Sequence, residues 1–314
     1  MIPDHGTPTG PASTGPVGAG LVLGIDVGGS KTHAVLSDGA TVHADILAGS
    51  ANPASVGVEE ASRQLGIVFA QLGDAPITAI CAGVAGADSP GGEERFRALL
   101  TLRAPNAAIR VVHDSELLLA AAGRTTGIAV ISGTGSAGWG RDAHGHTARS
   151  GGWGYLLGDE GSGYWVTRMA VRHALERVDL GEPADRLSQQ LAADCGLQDP
   201  ADILDHFYSH PERRYWAGRA RVVFELAADR EPVSAAIVAA AADALTHIAT
   251  SVAYRLGMPG PVVLAGGQAV HQPLLQQAVR ERLAVRGIHD LEILTAAPVS
   301  GAVRLAAELL TPSL

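Results

Sequence analysis

Two stretches of this chain repeat one local design. GIDVGGSKTHAVL (residues 24–36) and GIAVISGTGSAGW (residues 127–139) each run from an apolar strand, through a glycine turn with hydroxyl or lysine side chains, into a second strand. One supersecondary unit used twice restricts the fold to a duplicated α/β architecture with two β-hairpins facing across a cleft. Glycine lets backbone approach a ligand closely, so two such turns aimed into a cleft can clamp a polyphosphate through N–H groups and hydroxyls. The second copy opens an unusually glycine-dense stretch, residues 126–165, with 12 glycines that fall mostly in two clusters, GTGSAGWG and GGWGYLLGDEGSG. That stretch reads as one wall of a ligand site.

Composition narrows the class. A chain of 314 residues, 46% hydrophobic and 18% charged, has room for two domains. Its net charge of -9 and lack of any basic run argue against a nucleic-acid partner. The two cysteines, Cys81 and Cys195, stand far apart with no CxxC or Cys/His cluster, which disfavours a disulfide framework or a zinc site. No stretch is expected to reach the apolar length of a membrane span. Residues 1–19 form a Pro/Gly/Thr/Ser tail, expected to be disordered; without a basic n-region and apolar core they make no signal peptide, so the cytoplasm is the expected compartment.

Along the chain, residues 20–47 read as three strands with turns at Gly28-Gly29 and Asp38-Gly39, and Asp26 ends the first strand. Asp26 either helps that turn or faces a ligand. A loop centred on Asn52-Pro53 leads to a helix over 59–72, a buried strand over 77–84, a short helix over 93–102 and a buried strand over 109–113. Asp114 follows at the strand's carboxyl end, where α/β sheets gather ligands, but Asp there also serves as a helix N-cap. After Trp165 the chain turns helical: 166–178, then a helix opening at Pro183 and closing at Gly196, then two or three helices across 199–229. The arginines of PERRYWAGRAR (residues 211–221) read as an exposed charged face. Apolar spacing predicts one long helix from Pro232 to a stop at Gly257. PVVLAGG (residues 261–267) is a strand and a third glycine turn, Gly266-Gly267, followed by a helix over 273–285, a strand within 291–296 and a closing helix over 299–310.

No Walker A sequence, protein-kinase set or GxSxG elbow is present, and GTGSAG is followed by Trp-Gly-Arg-Asp rather than a helix-forming segment. What remains, Asp26, Asp114, Asp159 and three glycine turns, suits phosphoryl transfer, in which a protein chiefly positions groups and neutralises charge.

The order GIDVGGSKT, VVHDSE, VISGTGS, GGWGYLLGDEGSGYW, VVLAGG resembles the actin/hexokinase-type sugar kinases, and more narrowly the N-acetylglucosamine kinases of the BadF/BadG-type ATPase family, across about residues 20–310. The resemblance implies two ribonuclease H-like domains: an N-terminal lobe over 20–115, joined by the closing helix at 299–314, and a C-terminal lobe over 116–298. It implies ATP and Mg2+ as cofactors and a 6-phosphate as product. Gly28, Gly29, Ser30, Lys31 and Thr32 would form the first phosphate loop, and Gly133, Thr134, Gly135 and Ser136 the second, with Ser136 also reaching the sugar. Asp26 would hold Mg2+ through water, and Asp114 would be the base for the sugar 6-hydroxyl. Asn52, Gly152, Trp153 and Asp159 would contact the sugar, and Ala217, Gly266 and Gly267 the adenosine.

Ala137 after the second loop, and the absence of an aromatic residue after Asn52, leave open glucosamine or N-acetylmuramic acid as acceptors in place of N-acetylglucosamine. A homodimer is expected by the same resemblance. Relatives that activate dehydratases through a shared iron–sulfur cluster need paired cysteines, which Cys81 and Cys195 do not resemble. A sugar-sensing repressor would need a helix-turn-helix ahead of Gly20, and the zinc-binding kinase group a CxCGxxGC loop.

Overall fold

The computed structural model describes residues 20–85 and 91–311. The expected tail at 1–19 and the last three residues, 312–314, to which the closing helix was expected to run, lie outside them.

Strands β1 (Leu21–Val27), β2 (Lys31–Ser37) and β3 (Val42–Gly49) form an antiparallel meander. Strands β4 (Ile77–Val84) and β5 (Ala108–His113) add in parallel beside β1, giving the order β3-β2-β1-β4-β5. The second sheet repeats this plan. Its meander is β6 (Gly127–Ser132), β7 (Ser136–Arg141) and β8 (Thr147–Gly151); β9 (Val262–Ala265) and β10 (Leu291–Ile293) then join in parallel beside β6. The order β8-β7-β6-β9-β10 matches the first sheet strand for strand. The duplication expected from two short sequence copies therefore extends to whole five-stranded sheets. Among the parallel strands the inner two, β4 and β9, are continuous apolar runs, β9 being buried at every residue and β4 over its last six, as strands covered on both faces must be.

Helices α1 (Pro53–Val56), α2 (Val58–Leu72) and α3 (Gly92–Thr101) belong with the first sheet; α4 (Asp114–Ala121) follows β5. Beyond β8 come α5 (Gly163–Asp179), α6 (Arg186–Asp194), α7 (Ile203–Ser209), α8 (Arg213–Ala228), α9 (Pro232–Leu256), α10 (Gly267–His271) and α11 (Pro273–Val285), and α12 (Pro298–Glu308) closes the chain. The sixth helix does not open at Pro183. Asp185 caps it through its Oδ1, which accepts from Ser188 N at 2.9 Å, and a carboxylate acceptor fixes the start more firmly than an upstream proline.

One expectation needs revision. By length and composition α9 could cross a membrane, with a mean hydropathy of 1.5 in its most apolar window, because alanine fills the gaps between its bulky residues. Here Ile237, Ala241, Leu245, Ile248 and Val252 are buried in the core that α9 shares with α8, α11 and the second sheet.

Helix α12 returns to the first sheet, packing on β1 and β4 and against α4. The approach is close enough to require glycine. A Cβ on Gly301 would stand 2.0 Å from Leu117 O, and one on Gly24 2.5 Å from Val303 N. Backbone atoms cannot rotate away, so Gly301→Ala should cost about 2 kcal/mol or more in urea unfolding, as overpacked cores do. In an open helix the same change would stabilise by up to about 1 kcal/mol, so a gain would refute the packing argument.

Candidate active site

The first glycine turn joins β1 to β2 and is closed by Gly28 N donating to Lys31 O at 3.0 Å. Neither Gly28 nor Gly29 has a positive φ. A Cβ on either would meet only ordinary contacts, Lys31 O at 3.4 Å and Ser55 Oγ at 3.5 Å. What these glycines offer is room over an exposed turn; Gly29, Ser30 and Lys31 all face solvent. Thr32 differs, being fully buried with its Oγ1 accepting from Ala51 N at 2.9 Å, so it braces the neighbouring loop. That loop supports the turn in return: Ser50 Oγ donates to Gly28 O at 2.9 Å. Asn52 is buried, with Nδ2 donating to Ala85 O at 2.9 Å and Oδ1 accepting from Ala54 N at 3.0 Å. Each end of its amide keeps capacity for one more bond.

At the end of β1, Asp26 is half-buried. Burial, and then the charge of Asp114, push its carboxyl up from 3.8 to about 6, against the pull of His33 and Lys31. Asp26 and Asp114 thus share one field.

Asp114 is not the helix cap. His113 takes that place, its Nδ1 accepting from Ser115 N at 3.2 Å, and Asp114 is the first residue of α4. Asp114 Oδ1 lies 3.0 Å from His113 Nδ1 and accepts from Ser115 Oγ at 3.4 Å. Oδ2 has no hydrogen-bond partner among the described residues. Capping by His113 leaves the carboxylate disposable for chemistry.

Helix α4 packs against strands of both sheets. The His113 ring lies parallel to Trp139 of β7, with 6.1 Å between centroids. Glu116 Oε1 accepts from Arg110 of β5 and from Arg141 Nη1 of β7 at 3.1 Å, so one carboxylate ties the two sheets two residues from Asp114.

In the second turn, Gly133 N donates to Gly135 O at 2.9 Å, and Gly133 O accepts from Gly163 N at the start of α5 at 2.8 Å. Asp159 closes over it from the other side. It is 5% exposed, with φ +62°, a left-handed conformation that Asp tolerates better than most residues. Its Oδ1 accepts from Ser136 N at 3.2 Å, and burial raises its carboxyl against that hydrogen bond. A Cβ on Gly135 would meet the Asp159 carboxylate at 2.9 Å. Ser136 is buried, and its hydroxyl donates to Glu160 O at 2.7 Å. Asp159 and Ser136 therefore fasten the second turn to the loop before α5.

That loop begins at Gly152, whose N donates to Ser136 O at 3.0 Å, and rises to an exposed apolar tip. Trp153, Leu156 and Leu157 are exposed, Arg149 lies over the Trp153 ring, and Arg168 Nη1 donates to Tyr155 O at 2.8 Å.

The third turn packs on the second. Gly266 has φ +95°, and a Cβ there would stand 2.5 Å from Ser132 O. Beside Gly267 space is open, and a Cβ on Gly133 would stand 3.9 Å from its N. Ala217 joins them through Gly163, where a Cβ would meet Ala217 O at 2.9 Å. Thus Gly133, Gly163, Ala217, Gly266 and Gly267 line one junction. Sequence reading missed Ser50, His113 and Glu116, whose signals lie in tertiary contacts rather than spacing.

Comparison with known proteins bears on the family and the fold. The profile of the BadF/BadG/BcrA/BcrD ATPase family matches residues 23–306. A Clostridium acetobutylicum protein named N-acetylmuramic acid/N-acetylglucosamine kinase is 36% identical over 211 residues, covering 64% of this chain and 69% of its own. A Dictyostelium discoideum protein named N-acetyl-D-glucosamine kinase is 27% identical over 315 residues, covering 91% of this chain and 97% of its own. A solved Chromobacterium violaceum structure shares the fold, with a TM-score of 0.69 at 24% identity over 93% of this chain and 100% of that one.

Proposed function

Since this chain belongs to the BadF/BadG/BcrA/BcrD ATPase family, we propose that it is an ATP-dependent kinase phosphorylating the 6-hydroxyl of N-acetylglucosamine. The observation that carries the reading is Asp114, an uncapped carboxylate on the helix between two equivalent sheets that each present a glycine turn. Support for the acceptor comes from the names of the two relatives, both of which include N-acetylglucosamine.

In this reading the lobes, 20–115 with the closing helix and 116–298, close over sugar and nucleotide, with α4 at the hinge. Residues 28–32 and 133–136 hold the phosphates. The sugar 6-oxygen bonds to the γ-phosphorus as the bond from phosphorus to the β–γ bridging oxygen breaks; ADP leaves, and the hydroxyl proton passes to the Asp114 carboxylate. Asn52, Gly152, Trp153, Ser136 and Asp159 surround the sugar, and Ala217, Gly266 and Gly267 the adenosine. Mg2+, when bound, supplies charge that neutralises phosphate oxygens. Asp26 would hold it through water, and the fit is physical: a carboxyl strained by burial and by Asp114 is relieved by a cation. Among the described residues no group of three or more ligating side chains gathers, which suits an ion held mainly by one carboxylate and the substrate phosphates. The enzyme is read as cytoplasmic and homodimeric.

A coupled ADP-release assay tests this across glucose, glucosamine, N-acetylglucosamine, N-acetylmannosamine and N-acetylmuramic acid. The highest kcat/KM is expected with N-acetylglucosamine, and no turnover with any of them would overturn the reading. N-acetylmuramic acid is the second acceptor to consider, because the 36% identical relative also bears its name.

A further inference from the structure

The side-chain amide nitrogen of Gln268, in α10, is buried and has no hydrogen-bond partner among the described residues. Leaving a buried N–H unpaired costs on the order of 1–3 kcal/mol, so such a donor calls for an acceptor that the folded chain alone does not supply. Its location says which acceptor. The Oε1 end of the same amide lies 3.2 Å from where a Cβ on Gly163 would stand, and Ala217 Cα is 3.3 Å from that point. Gly163 N donates to Gly133 O of the second turn, and a Cβ on Gly133 would stand 3.9 Å from the N of Gly267, the residue before Gln268. The amide therefore sits where the second phosphate turn, the third glycine turn and α8 meet. Near it, among these junction residues, only small side chains or none are found.

We propose that Gln268 is a nucleotide-binding residue, its amide N–H donating to an acceptor of ATP or ADP between the base and the first phosphate. The proposal rests on the nucleotide reading of the three turns given above. It predicts opposite signs for two measurements. In the free protein the unpaired donor is a cost, so Gln268→Met, which keeps the side-chain length and removes the polar group, should melt at or above the wild-type temperature. With ADP the same variant loses a hydrogen bond, and its affinity should fall about five- to tenfold. A residue that merely packs would lower melting temperature and leave ADP affinity alone.

The test is isothermal titration of wild type and Gln268→Met with ADP in magnesium buffer, beside thermal melts of both without nucleotide. Weaker ADP binding with an undiminished melting temperature supports the assignment. Equal ADP affinity in both proteins, or a variant whose free form melts several degrees lower, overturns it for Gln268 while the nucleotide site stands. Failure of the wild type to bind ADP overturns the nucleotide reading itself.

Discussion

Asp114→Asn should leave a folded protein that binds ADP and sugar with near wild-type affinity and turns over roughly a thousandfold more slowly, within the range for losing a general base. Asparagine keeps the size of the side chain and still accepts from Ser115 Oγ, but it cannot take the hydroxyl proton. The structure makes this a clean substitution. Capping of α4 belongs to His113, so the helix start does not depend on the carboxylate. Position relative to the second sheet belongs to the His113–Trp139 stack and the Glu116 ion pairs, which the change leaves in place. The loss should therefore fall on kcat, with KM for both substrates little moved. Single-turnover kinetics and calorimetric titration with sugar and ADP separate the two. Retention of a tenth or more of the wild-type rate would remove Asp114 from the role of base.

How much of this could be read from sequence varies by kind of signal. The first three strands and β6–β7 were legible because apolar runs broken by glycine turns are local. The long helix α9 was legible from its spacing. Strand β8 was not: Thr147–Gly151 buries only Ala148, so the alternation that marks a strand is missing and pairing with β7 defines it. At the site, sequence brought out the residues with strong chemistry, Asp26, Asp114 and Asp159. It could not separate an Asp that caps a helix from one that follows the cap, since His113 is an infrequent cap and its ring is recruited by geometry. The resemblance gave Asp159 a single expected role, toward the sugar; in the structure the buried carboxylate grips Ser136 N of the second glycine turn. Gln268 carried no signal at all, because an unsatisfied donor exists only once its surroundings are built.

Asp26→Asn should have effects of opposite sign on stability and on activity. Folding raises the Asp26 carboxyl from 3.8 to about 6, so the folded chain favours the neutral form. The associated stability is present below the unfolded value and is lost as pH rises through about 6, where the folded protein must carry the charge beside Asp114. A shift of this size corresponds to about 3 kcal/mol at most. Asparagine stays neutral throughout. In chelator and without nucleotide, the variant should be within about 0.5 kcal/mol of wild type near pH 4, become progressively more stable between pH 4 and 6, and level off above pH 6 at about 2–3 kcal/mol. Activity should move the other way, falling at least a hundredfold, because the carboxylate that costs stability is the one proposed to hold the cation against the phosphates. Urea unfolding from pH 4 to 8, together with the Mg2+ dependence of turnover, checks both halves. An Asp26→Asn protein no more stable than wild type at pH 8 would mean that the charge is not confined as described, and one with normal turnover would take Asp26 out of cation binding. The site would then be using at Asp26 a burden it does not need, which the coincidence of burial, Asp114 and the glycine turn at one strand end argues against.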